Sequence, residues 1–219
     1  MATNWVREAK NFDDQYTEAT PLSMVPFFGK YVKNDLQFRQ EMVLNFLGDV
    51  EGKHIIDIGC GVGRISHELA SRGATITGYD ISPEAIDLAN DYARKFKLDD
   101  RCKFHVADLS ADMTFPKADC WIALGVWQYL EDPEKTLKKL VHIPEFISDV
   151  PTRNHWINPL RKVYRTWMKG IWFRSYSKQD AYNLFNRSGI YNVEINDSNP
   201  TILLVSRKAA GHQQTLNLQ

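Results

Sequence analysis

The chain has 219 residues, of which 43% are hydrophobic and 25% charged, an ordinary composition for a globular domain large enough to bury a full core. Lysine plus arginine and aspartate plus glutamate number 27 each, so the molecule as a whole exerts no net pull on nucleic acid or on an acidic surface. Cys60, Cys102 and Cys120 form no C-x-x-C pair, and no run of roughly 18 apolar residues occurs, which speaks against a zinc ribbon, a disulfide frame and a membrane-spanning helix.

The opening MATNWVREAKNFDDQY mixes both charge signs and lacks an apolar core, so no secretory signal is expected and the setting reads as cytoplasmic. Asn34 to Leu47 reads as a helix with Leu36, Val43, Phe46 and Leu47 on its apolar face. From Lys53 the pattern changes to short apolar runs alternating with amphipathic segments. His54–Ile58 reads as a strand, Gly63–Ala70 as a helix and Ala74–Tyr79 as the next strand. A helix then opens at Ser82-Pro83-Glu84, with serine as N-cap and proline at its first position, and with Ile86, Ala89, Ala93 and Phe96 as the expected buried face.

Lys103–Ala107 and Cys120–Leu124 read as the third and fourth strands. Asp132-Pro133-Glu134 opens a helix whose expected stripe is Leu137, Leu140 and Val141, and Glu145–Ser148 is a short fifth strand. Ser177 caps a helix with Ala181, Leu184 and Phe185 inward, which Gly189 ends in the left-handed conformation. Tyr191–Ile195 and Thr201–Ser206 follow with a link too short for a crossover helix, so this last pair should be antiparallel. Alternating strands and helices imply an α/β fold with a mostly parallel sheet and helices on both faces. The whole of 1–219 reads as one domain: a helical N-terminal cap over 1–50, an insert over 151–176 and a loose polar tail over 208–219.

The run from Asp57 to Gly63, DIGCGVG, ends a strand, alternates Gly59, Gly61 and Gly63, and opens a helix. Glycine suits a sharp turn at which the backbone approaches a ligand, and ligands of open α/β sheets sit at the carboxyl ends of strands. The spacing is G-x-G-x-G, not the G-x-G-x-x-G of dinucleotide sites, and Asp57 would repel a pyrophosphate. Asp80 ends the second strand, where a carboxylate can accept both hydroxyls of a ribose. Asp108 and Leu109 follow the third strand, where a carboxylate can accept from an exocyclic amine while an apolar neighbour packs on a base.

Together these motifs resemble those of the class I S-adenosylmethionine-dependent methyltransferases, a Rossmann-like family with a seven-stranded sheet closed by an antiparallel hairpin. The resemblance implies that Asp57, Gly59, Cys60, Gly61 and Gly63 frame the methionine part of the cofactor, with Asp80 on the ribose, Ile81 against adenine and Asp108 near the adenine amine. It places Leu124, Gly125 and Val126 along the methyl-donating side, brings Tyr16 over the cofactor unless it lies in a mobile segment, and makes S-adenosylhomocysteine the product. Within the family the chain looks most like small-molecule O-methyltransferases of the magnesium-protoporphyrin and ubiquinone pathways. Many of these carry a histidine where this chain has Tyr129.

The insert holds Arg153, Arg161, Lys162, Arg165, Lys169 and Arg174 with no acidic residue, and Trp156, Trp167 and Trp172. Three readings stay open. It is a lid for an anionic or aromatic acceptor, with Arg153, Trp156, Arg161 and Tyr164 against it; an interfacial membrane helix over 157–170; or an amphipathic helix with a solvated basic face. Methyl transfer to oxygen benefits from a base. His155 is the first candidate, with a surface or capping role as its alternative, and Tyr129 positions the acceptor or packs in the core. The other histidines lack ligand-like spacing, so no metal is expected, and no nucleic-acid module accompanies the domain. Two rival functions remain: nitrogen methylation of a small amine, and a cofactor-binding regulator without turnover.

Overall fold

The computed structural model describes residues 38–155, 157–163, 172–198 and 201–207. A helix over 38–47 (α1) precedes β1 (His54–Ile58), α2 (Arg64–Ser71), β2 (Thr75–Asp80), α3 (Pro83–Lys95), β3 (Cys102–Val106) and β4 (Cys120–Ala123). After β4 come a 3-10 turn (Trp127–Tyr129), α4 (Pro133–Lys138), β5 (Glu145–Pro151), α5 (Ile157–Val163), α6 (Lys178–Arg187), β6 (Glu194–Ser198) and β7 (Thr201–Ser206). The seven strands form one sheet in the order β3-β2-β1-β4-β5-β7-β6, the first five parallel and β7 antiparallel to both its neighbours. The expected α/β class and the terminal antiparallel hairpin are therefore both present.

Strand alternation divides the core into two. Ile56, Ile58, Trp121, Ala123 and Phe146 point to one face, under Leu137 of α4 and Ala181, Leu184 and Phe185 of α6. Ile55, Ile76, Cys120, Ile122 and Ile147 point to the other, under Val43 and Leu47 of α1, Leu69 of α2 and Ala89 of α3. The helix starts are built as their sequences require. Ser82 accepts from Ala85 N–H at 3.2 Å, Asp132 from Lys135 N–H at 3.1 Å, and Ser177 forms a reciprocal capping box with Asp180.

Four expectations need correction. Phe96 is 55% exposed, because α3 ends at Lys95 and the residue beyond the last turn leaves the buried stripe to stack on Tyr92. Val141 is 48% exposed for the same reason, since α4 stops at Lys138. β6 starts at Glu194, not Tyr191, because its register is counted back from the turn: Ser198 pairs with Thr201 and Glu194 with Val205. β5 continues to Pro151, since β7 pairs along its whole length. Among the described residues, no helix is long and apolar enough to cross a membrane.

The chain runs outward from β1 through β2 to β3, then returns to the other side of β1 as β4. The reversal opens a crevice at the carboxyl ends of β1 and β4, where such sheets take their ligands.

Candidate functional site

The glycine turn lies at this crevice. Gly59 and Cys60 both donate their N–H to Tyr79 O, at 2.7 and 3.1 Å, which ties the turn to the end of β2. Gly59, Gly61 and Gly63 have φ of 68°, 52° and 75°. They do different work. A Cβ on Gly59 would fall on the Val126 side chain, and one on Gly63 would lie 2.8 Å from Phe104 and 2.9 Å from His67. A Cβ on Gly61 would meet nothing within 4 Å. Two of the glycines thus permit close packing, while the third borders open space.

Asp80 clasps that turn. One of its oxygens accepts from Gly61 N–H at 2.9 Å and the other from Ser82 N–H at 2.9 Å, so a single carboxylate joins the glycine turn to the start of α3. Burial pushes its pKa up, against the N–H groups of Ser82, Gly61 and Ile81, which hold it down. Asp57 is 6% exposed and accepts from Ser66 Oγ at 2.6 Å. Burial raises its pKa to about 7, opposed by the Ser66 hydrogen bond and reinforced by the charge of Asp80. The same burial, with both carboxylates adjacent, pushes the half-buried Cys60 thiol well up, so it stays protonated and is a poor nucleophile.

At the end of β3 the exposed Asp108 accepts from Ser110 N–H at 2.8 Å. Leu109 is 6% exposed and packs in the core, while Ile81, at 40%, and Val106, at 54%, are apolar side chains open at this edge. The loop is held from α4 and the residue after it. Thr136 Oγ1 and Lys139 Nζ donate to Leu109 O at 3.0 and 2.9 Å, Lys139 also donates to Ala111 O at 2.5 Å, and Lys135 donates to Ser110 O at 3.0 Å.

Across the crevice, Leu124 and Gly125 follow β4. Gly125, with φ 69°, donates its N–H to Asp149 Oδ1 at 2.6 Å, and Asp149 Oδ2 pairs with Arg39 Nη1 of α1 at 3.0 Å. Beneath them the Trp127 indole N–H donates to Ser148 Oγ at 2.5 Å, which donates onward to Ala123 O at 2.9 Å. Tyr129, at the end of the 3-10 turn, is half-buried with its ring 6.0 Å from Phe173. His155 is half-buried in the turn between β5 and α5, and its carbonyl accepts from Asn158 N–H at 3.0 Å. Both follow carboxyl ends of parallel strands, on the same edge of the sheet as the glycine turn.

Arg153 is bound to Asp180 at 2.9 Å. The Ser177 hydrogen bonds hold the Asp180 carboxyl below the usual range, and Arg153 adds to this. Arg161 lies within α5. Tyr16, Trp156 and Tyr164 lie outside the described residues, as do 164–170 of the expected interfacial helix and the 208–219 tail. Surface hollows of about 240 Å³ beside Asn90 and His105 and about 200 Å³ beside Leu140 and Tyr191 are lined by none of the residues of the glycine turn. Among the described residues, no group of three or more histidine, cysteine, aspartate or glutamate side chains is placed to hold a metal ion.

Sequence reading missed Ser66, Lys139, Asp149 and Arg39. Ser66 stands three residues after Gly63, one turn along α2, which places its hydroxyl back toward β1; that spacing was a usable signal. Asp149, a carboxylate that follows the apolar Phe146-Ile147 pair of the fifth strand, was another. Nothing in the local sequence marked Arg39 or Lys139.

A glycine turn at the point of strand-order reversal, with acidic residues at the tips of β2 and β3, defines a doubly wound domain built to take a ligand there. The chain belongs to the "Methyltransferase domain" family, whose profile matches residues 49–189. It is 32% identical over 95 residues to ubiquinone biosynthesis O-methyltransferase of Alkalilimnicola ehrlichii, covering 43% of this chain and 38% of that one. It is 35% identical over 96 residues to magnesium-protoporphyrin O-methyltransferase of Rhodobacter capsulatus, covering 44% and 42%. The chain thus spans about two-fifths of the length of these curated relatives. Its fold is similar to that of magnesium protoporphyrin IX methyltransferase from Synechocystis PCC 6803, solved with bound S-adenosylhomocysteine: TM-score 0.72 at 20% identity, over 90% of this chain and 92% of that one.

Proposed function

We propose that this domain binds S-adenosylmethionine and transfers its methyl group to an oxygen of a small, anionic or aromatic acceptor. The observation that carries the reading is Asp80, a carboxylate at the tip of β2 that holds Gly61 N–H beside open space. Asp57, Gly59, Cys60, Gly61 and Gly63 frame the methionine part, Asp80 takes the ribose hydroxyls, and Ile81 and Asp108 take the adenine. Leu124 and Gly125 flank the methyl group, with Tyr16 over the cofactor. When bound, the cofactor supplies an electrophilic methyl on a cationic sulfur and leaves as S-adenosylhomocysteine.

The protein's part is to hold donor and acceptor in line in a dry site, a positioning effect able to supply much of the rate. The buried Asp57 and half-buried Asp80 carboxyl groups favour a cationic ligand, and a protonated Cys60 does not compete for the methyl group. His155 is the proposed base for the acceptor hydroxyl, with Tyr129 orienting it. The single domain carries its acceptor pocket over 151–176, with Arg153, Trp156, Arg161 and Tyr164 facing the acceptor and any peripheral membrane contact over 157–170. Three free cysteines support a cytoplasmic setting.

Calorimetric titration of S-adenosylhomocysteine into the wild type and into Asp80→Asn tests the reading. Saturable binding weakened by about 1–3 kcal/mol in the variant is expected, the scale of a lost charged hydrogen-bond partner. No binding to the folded wild type overturns it. Methyl transfer to a panel of anionic aromatic hydroxyl compounds then separates an enzyme from a binding-only regulator, and a panel of amines tests nitrogen transfer.

A further inference from the structure

Three distant segments meet at Gly125. Its N–H is held by Asp149 Oδ1 from the end of β5, and Arg39 Nη1 from α1 lies 3.0 Å from Asp149 Oδ2. A Cβ on Gly125 would come within 3.2 Å of that same Arg39 nitrogen. Asp149 is completely buried, and the Arg39 side chain is only 12% exposed. A fixed cation therefore stands against the peptide that the proposed function places beside the transferred methyl group, and a fixed anion cancels it.

We infer that the Arg39–Asp149 pair is a positioning and specificity device that keeps the methyl-donating edge electrically neutral, so that the cationic donor is accepted as well as its neutral product. The inference rests on the proposed cofactor. S-adenosylmethionine and S-adenosylhomocysteine share every polar group and differ by one methyl and the positive charge on sulfur, so an uncancelled charge at this place acts on one and not the other. An arginine stays protonated whatever its surroundings, and in a partly desolvated site its field is poorly screened. Asp149→Asn keeps an oxygen for Gly125 N–H but strands the guanidinium charge. Asp149→Asn combined with Arg39→Gln removes both charges.

The test is calorimetric titration of both ligands, without acceptor, into the wild type, Asp149→Asn and the double variant, each checked for folding by circular dichroism. Asp149→Asn should weaken S-adenosylmethionine relative to S-adenosylhomocysteine by about fifteenfold, the size expected for one unit charge some 10 Å away at an effective dielectric near 20. The double variant should restore the wild-type ratio. A purely structural pair would weaken both ligands alike, and that result overturns the inference. If Asp149→Asn does not fold, Arg39→Gln decides: the stranded carboxylate should shift the ratio toward the cation, and an unchanged ratio sinks the idea. Failure of both ligands to bind the wild type would instead overturn the proposed cofactor.

Discussion

Ser66 Oγ donates to Asp57 Oδ2 at 2.6 Å, joining the first turn of α2 to the strand that feeds the glycine turn. The contact is buried at both ends, and Asp57 carries a pKa raised to about 7.

A raised carboxyl pKa means that the folded protein holds a proton the unfolded chain has already lost. The benefit from Asp57 is complete below the ordinary aspartate value near 4 and is lost as pH rises toward about 7. The change is about 4 kcal/mol over that window. Urea unfolding of the wild type and Asp57→Asn between pH 4 and 8 checks it: the variant should show the flatter profile. A cationic ligand should favour the ionised form, so S-adenosylmethionine is expected to bind more tightly as pH rises through 7 and to release protons, measurable by calorimetry in buffers of different ionisation enthalpy.

Gly59 and Gly61 should respond differently to alanine. Gly59→Ala drives a methyl into Val126 and forces a left-handed alanine, so a loss of about 3 kcal/mol or more is expected. Gly61→Ala meets no atom and should cost only the strain, about 1–2 kcal/mol. Yet its methyl enters the open space over the turn, so ligand affinity should fall further than stability does. Thermal unfolding and titration of the two variants separate the effects.

Ser148→Ala removes the acceptor of the Trp127 indole N–H and the donor to Ala123 O, all in the buried core. Two stranded polar groups should destabilise the domain by about 2–4 kcal/mol. Thermal denaturation is the check, and Ser148→Thr, which keeps the hydroxyl, should recover part of the loss.

Lys139→Met keeps the apolar stem and deletes the donors that hold Leu109 O and Ala111 O. Stability should change by less than about 1 kcal/mol, because the ammonium is near the surface. The loop carrying Asp108 loosens, so S-adenosylhomocysteine affinity should fall about threefold or more. Equal affinity would show that this loop does not bear on the ligand.

Much of the scaffold was legible locally. Ser82-Pro83-Glu84 and Ser177 mark helix starts through bonds made within three residues, and apolar alternation assigns Ile55 and Ile56 to opposite faces. The expectations for Phe96, Val141 and Tyr191 went astray at element ends, where periodicity continues in the sequence after the hydrogen bonds have stopped.

The sequence by itself determined the alternating α/β order, the glycine turn after β1, the acid at the end of β2 and the antiparallel last pair. Each of these depends on residues close together in the chain and on backbone sterics. Only the tertiary structure decided which glycine borders open space, why Asp57 holds its proton near neutral pH, and that Arg39 reaches Asp149 at Gly125. Those properties arise from burial and from charges brought together by sheet order, and both depend on where distant segments come to lie.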